Sequence, residues 1–180
     1  MLRFKLTFFF TMTFIKTKFE IKEYVVYPGH GIGKIIDIKE SIFSGNKIKC
    51  YIIKFDTINN NTKNLILHIP KYQAKKSGMR PITPKHIIEK HIYKLCKKKK
   101  EKIHKEIWNK RIKEYEKKIN SGNIQNIVEV LKELKNLEKS YSEKVLFEQA
   151  INMLSLEYSI SIGIEKKEAK KKILSLLCIY

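Results

Sequence analysis

Five histidines, three cysteines and eighteen carboxylates are the side chains of this 180-residue chain able to move a proton or hold a metal. Their spacing assembles neither kind of site. His68 falls in an apolar run that reads as a strand, and His86, His91 and His104 lie on helical segments at separations that build no ligand set. His30, between Gly29 and Gly31, could be imagined as a catalytic base, but such an enzyme would need converging acids around it. A turn histidine bonded to its local backbone is the plainer reading. Cys50, Cys96 and Cys178 contain no CxxC pair, so neither zinc nor dithiol redox chemistry is suggested. Three isolated thiols fit a reducing compartment better than a disulfide scaffold. Phosphate loops, HExxH and GxSxG are all missing from the sequence. No catalytic residue, metal or cofactor is expected.

The chemistry that the residues favour is contact with a polyanion. Lys and Arg total 38 against 18 Asp and Glu, a net charge of +20. Nucleic acid, a nucleoprotein complex or an anionic membrane surface would each answer such a charge. Part of the lysine excess reflects a Lys, Ile and Asn bias that base composition alone can produce. The concentration is local, however: residues 94–118 hold 12 Lys or Arg and only 4 Glu. That density can neutralise several phosphates and release their counterions. Lys110, Arg111 and Lys113 lie within about one and a half helical turns of the single tryptophan, Trp108. The spacing of Trp108 with Ile112, Tyr115 and Ile119 also fits a buried helical stripe, and the Lys97 to Lys100 run also fits a solvated face.

Two kinds of element must carry these groups. From Phe19 to Pro70 the pattern is of short strands: Tyr24 to Tyr27, Gly31 to Ile38, Cys50 to Phe55 and Leu65 to Ile69. Turn signals at Pro28-Gly29 and Phe43 to Asn46, and a polar loop over Asn59 to Asn64, separate them. Beyond Pro70 the period becomes helical. Thr83-Pro84 reads as N-cap and first helical residue. Ile87, Ile88, His91, Ile92 and Leu95 form one stripe, and Ile103, Ile107, Trp108, Ile112, Tyr115 and Ile119 the next. Gly122 ends that helix and Asn123 caps another, faced by Ile124, Ile127, Val128, Leu131 and Leu134. Ser140 to Glu143 contains a capping box opening a helix with Leu146, Ala150, Met153, Leu154 and Tyr158, and a last segment spans about Lys166 to Leu177. The expectation is an α+β chain. Residues 1–18 are expected to be a disordered or misassigned leader, in which Met12 could be the true start. They are too short to span a bilayer and lack a small-residue cleavage site. Residues 19–72 form a small β-barrel and residues 73–180 a compact α-helical bundle.

Four stretches, in order, are similar to the CarD family of bacterial transcription regulators. Tyr24 to Gly33 (YVVYPGHGIG) resembles the opening of its Tudor-like barrel, and Ile69-Pro70 with Gly78-Met79-Arg80 resembles the exit from it. Trp108-Asn109-Lys110-Arg111 with Tyr115 and Lys118 to Gly122 resembles the family's tryptophan-bearing helix, and Ser140 to Lys144 a further helix start. The resemblance covers about Phe19 to Tyr158.

That resemblance implies a division of labour. The barrel of the family docks on the β subunit of RNA polymerase, largely by edge-strand pairing. Its docking positions fall here on Ser41, Phe43, Ile66 and His68, with Ser41 and His68 standing where many members carry arginine. The helical domain contacts promoter DNA at the upstream edge of the melted bubble and stabilises the open complex. Trp108 would wedge in the minor groove while Lys110, Arg111 and Lys113 grip phosphates around it. Recognition would be of shape and junction, since no base-edge code is apparent. The expected protein is a monomeric, non-enzymatic, cytoplasmic and nucleoid-associated regulator with no membrane partner. An RNA- or ribosome-associated basic protein is the alternative that a small barrel with basic helices also suits.

Overall fold

The computed structural model describes residues 18–43, 45–55, 65–97, 108–135 and 140–177. The expectations for the leader before Lys18, the 59–64 loop, the lysine run beyond Lys97 and the Ile103 and Ile107 stripe lie outside these residues.

The β-branched and aromatic runs pair as one antiparallel sheet. Its strands are β1 (Tyr24–Tyr27), β2 (Gly31–Phe43), β3 (Asn46–Phe55), β4 (Leu65–Pro70) and β5 (Arg80–Pro81), in the order β4-β3-β2-β1-β5. One face buries Val25, Ile35, Tyr51, Ile53, Phe55 and Ile69, closed by Phe19, Ala74 and Met79. Phe19 sits edge-on to Tyr51 at 5.9 Å between ring centroids and donates its N–H to the Tyr51 hydroxyl at 3.2 Å. Gly33 is required here because a Cβ would stand 2.6 Å from Ile53 Cγ2.

Two features of this sheet were not visible in local pattern. β2 runs on to Phe43, past the Ile38 expected from its apolar run, because Lys39 to Phe43 pair with Asn46 to Cys50 across a turn at Gly45 (φ +79°). A bulge between Ile35 and Asp37 shifts the register midway, so strict alternation breaks where the strand does not. The fifth strand comes from beyond Tyr72. A short helix α1 (Lys71–Ala74) carries the chain across, and Arg80 and Pro81 then pair with Val26 and Val25.

The second half is helical: α2 (Lys85–Lys97), α3 (Trp108–Asn120), α4 (Ile124–Lys135), α5 (Tyr141–Ile162) and α6 (Lys166–Leu176). α5 is the central member and touches each of the other four. Its Leu146, Ala150, Ile151, Leu154 and Tyr158 meet Ile88, Ile119, Leu131 and Ile173 in a second core. The capping box is formed in both directions at Ser140 and Glu143, and Asn123 Oδ1 accepts the Gln125 N–H at 2.8 Å at the start of α4. Thr83, expected as the cap of α2, is not. The Pro84 carbonyl accepts the first N–H bonds, from Ile87 and Ile88, and the Thr83 hydroxyl instead accepts from Arg80.

Gly122 and Gly163 both adopt left-handed backbone, φ +66° and +71°, but a Cβ at Gly122 would lie 3.1 Å from Val26 Cγ1 whereas Gly163 faces open space. Gly163→Ala should therefore cost about 1–2 kcal/mol from backbone strain alone. Gly122→Ala should cost roughly 1 kcal/mol more through overpacking. Urea midpoints of the two variants measure the difference, and equal midpoints would mean that the halves do not press together at Gly122.

Candidate functional site

On the sheet, register decides which residues share a face. Ser41 lies opposite Ile48, Phe43 opposite Asn46, His68 opposite Ile52 and Ile66 opposite Lys54. The β3 partners are all even-numbered, and alternate residues of a strand share one face. Ser41, Ile66 and His68 are thus collected on the side opposite the sheet's own core. Ser41 Oγ and His68 Nδ1 are 3.2 Å apart although β3 separates their strands. A flat sheet would hold those strands about 10 Å apart, so the pair meets over β3 by leaning together with some curl of the sheet. Ile66 is 47% exposed beside them, and Ile42 on the same hairpin is 73% exposed. The side chain of Phe43 lies outside the described residues. β4 is an end strand of the ladder, so one row of its main-chain groups pairs with no other strand among the described residues.

On α3 the expected DNA residues separate. Trp108 is the first residue of the helix; its side chain lies outside the described residues. Lys110 and Lys113 are exposed. Arg111, expected to grip phosphate with them, turns the other way. Its Nη2 donates to Glu143 Oε1 at 2.7 Å, and the two side chains are 23% and 4% exposed. The other carboxylate oxygen of Glu143 accepts the Ser140 N–H at 3.0 Å and the Ser140 hydroxyl at 2.9 Å. One buried carboxylate therefore caps α5 and anchors α3. Burial pushes the Glu143 carboxyl up, but the bonds from Ser140 and the Arg111 guanidinium outweigh it and hold it below the usual range. Farther along the Trp108 stripe, Tyr115 and Ile119 are buried as their spacing predicts, and the Tyr115 hydroxyl donates to Glu133 at 2.9 Å.

Between the halves sits a cluster that sequence reasoning missed. Arg80 belongs to the sheet through β5, yet its guanidinium reaches into the helices. Nη1 and Nη2 donate to Glu157 Oε1 and Oε2 at 2.6 and 3.0 Å, and Nε donates to the Gly122 carbonyl at 3.0 Å. Nη1 also donates to Thr83 Oγ1 at 2.9 Å, and the Thr83 N–H donates to Glu157 Oε1 at 2.8 Å. Nearby the Gly29 N–H donates to the Asn120 carbonyl at 2.8 Å. One sequence signal pointed here. Glu157 is four residues from Met153 and three from Leu154, both on the apolar stripe, and a carboxylate at a core position demands a cation.

The His30 ring behaves as a turn residue, with Nδ1 3.3 Å from the Pro28 carbonyl and the rings of Tyr27 and Phe55 beside it. Among the described residues no group of three His, Cys, Asp or Glu could hold a metal, and no helix is long and apolar enough to cross a membrane.

Removing one partner of the Arg111–Glu143 pair orphans a buried charge. Arg111→Ala should cost about 3 kcal/mol, whereas Lys110→Gln and Lys113→Gln should each stay within about 0.5 kcal/mol. The folded-state pKa of Glu143 is lowered, so its contribution is complete above its unfolded value of about 4.3. It is lost as pH falls through the folded value. Glu143→Gln should flatten the acid limb of stability below about pH 4; thermal melts from pH 7 to 2 check both statements.

The sequence family described as "CarD-like/TRCF RID domain" matches residues 19–83, the sheet half through Thr83. The family "CarD, C-terminal domain" matches residues 91–174, from within α2 to α6. The chain is also 31% identical over 165 residues to a Bacillus subtilis (strain 168) protein named "Putative transcription factor YdeB", covering 84% of this chain and 97% of that one. Both halves of one architecture are matched in chain order, and the chain belongs to the CarD family of transcription regulators that act through interaction with RNA polymerase.

Proposed function

We propose that this protein stabilises open promoter complexes by holding the polymerase β subunit with its curled sheet, a Tudor-like barrel, and promoter DNA with its helical half. It works as a monomer and catalyses nothing. The observation that supports this most is the outer face of the sheet. Ile66 and the bonded Ser41–His68 pair stand there beside the end strand β4. Main-chain pairing to β4 supplies affinity and the neighbouring side chains supply fit. Because Ser41 and His68 satisfy one another, Ile66, Phe43 and the strand edge carry more of the contact than charged side chains do.

The helical half contributes Trp108, Lys110 and Lys113. The lysines neutralise phosphates at the upstream edge of the bubble, and the indole lies against a base step. Arg111 enters through Glu143: it steadies the first turn of α3, from which the lysines project. Capture of core polymerase by the intact protein is the primary test. Ile66→Glu should weaken it at least about tenfold, a loss near 1.4 kcal/mol, and leave DNA affinity unchanged. Recovery of ribosomal RNA in place of polymerase would overturn the reading.

The DNA half is tested separately. Lys110→Gln with Lys113→Gln should reduce the slope of log affinity against log salt by about 2, at roughly 0.9 per phosphate contact. Trp108→Ala should melt nearly as the parent does, yet shorten the open-complex lifetime by roughly five- to 150-fold, the equivalent of about 1–3 kcal/mol for one base–aromatic stack. A mutant that loses its fold instead would identify Trp108 as a core residue.

A further inference from the structure

We infer that Arg80 is a positioning residue that fixes the helical half against the sheet, so that binding of one partner presents the other surface at a set distance and angle. This rests on the function proposed above and extends it from two binding surfaces to their coupling. The chain connection is too short to be slack and too simple to set an orientation: only Ile82, Thr83 and Pro84 lie between β5 and α2. Arg80 supplies the missing constraint. Its main chain pairs with Val26 in β1, and its guanidinium engages both Gly122, at the turn between α3 and α4, and Glu157 on α5. A planar fork that meets a carboxylate with two bonds and a carbonyl with two more resists rotation of one half against the other.

The surroundings follow the same arrangement. Val26 and Ile32, opposite one another in register, are 1% and 3% exposed yet belong to neither hydrophobic core. Val26 lies against Gly122, where a side chain would not fit. Apolar contact excludes water there without fixing one half on the other, and the polar fork holds the halves in place and sets the angle. Two linked sites gain from each other only when geometry lets both engage, and a rigid link of the right span maximises that gain.

The test uses the intact protein and three readings. Rotational diffusion of the free chain by NMR relaxation should fit one body for the parent and two for Arg80→Gln. Affinities for core polymerase and for promoter DNA, measured singly, should stay within about twofold of the parent. Open-complex lifetime with both partners present should lose about tenfold or more of its extension. Glu157→Gln keeps an oxygen to accept from Arg80 and Thr83 and should fall between. Arg80→Met with Glu157→Met leaves no buried charge unpaired and stands in if the single variant does not fold. Single-body tumbling or an undiminished lifetime in a folded variant would overturn the inference. So would loss of one single affinity, or unfolding of every variant, since Arg80 would then act within one half or only on stability. If the parent itself leaves lifetime unchanged, the proposed function fails, while the tumbling comparison still decides whether Arg80 locks the halves.

Discussion

Glu157 is a carboxylate with 3% of its side chain exposed, and a charge so placed must be met by donors or it will protonate or draw in water. Arg80 meets it with two bonds and the Thr83 N–H with a third. Several of the contacts between sheet and helices converge on that requirement. β5, only two residues long, delivers Arg80 to this point. Thr83 abandons the helix cap because its hydroxyl and N–H are used here. Gly122 is glycine because its backbone is left-handed (φ +66°) and a Cβ there would stand 3.1 Å from Val26 Cγ1.

The same logic explains how the four family-like stretches come together. The Pro28-Gly29 turn meets the end of α3 through Gly29 and Asn120, and the Gly78-Met79-Arg80 stretch meets Gly122. The Trp108 to Arg111 stretch meets Ser140 to Lys144 through Arg111 and Glu143. Residues that looked like a binding signature are in large part the joints of the architecture. A resemblance built on such residues reports the fold first, and the surfaces only through the fold.

This distinction also marks what could be read from sequence. Strand β1, the Cys50 to Phe55 part of β3, strand β4, the Ser140 capping box and the core stripes of α4 and α5 were legible because each rests on local spacing or local bonds. The far half of β2 was hidden because Lys39 and Glu40 owe their strand conformation to β3, a partner across a turn. β5 was hidden because two residues carry no period. Arg111 was grouped with Lys110 and Lys113 because all three lie close to Trp108, but adjacent residues of a helix point 100° apart, and the bond that Arg111 makes to Glu143 spans 32 residues. Arg80 and Glu157 are 77 residues apart, beyond any local pattern. On the sheet, by contrast, Ser41, Ile66 and His68 were named together only through the family resemblance, and it is the register across β3 that puts them on one face.

The chain has only three arginines, Arg3, Arg80 and Arg111. The two that the structure describes are both turned inward onto buried glutamates that join separate elements. Lysine supplies the positive charge on the outside. The partition is physical: guanidinium is weakly hydrated, planar and always charged, so it tolerates burial against carboxylate, whereas ammonium is a strongly hydrated point charge suited to solvent. It has a consequence for recognition. Bidentate reading of guanine in the major groove belongs above all to arginine, and among the described residues no arginine is left on the surface to do it. Exposed lysines such as Lys113 can neutralise phosphate of any sequence. Under the proposed function, selectivity for a promoter would come from where the polymerase places the protein and from the shape of the DNA at the melted junction, and the angle proposed for Arg80 would decide where the lysines land.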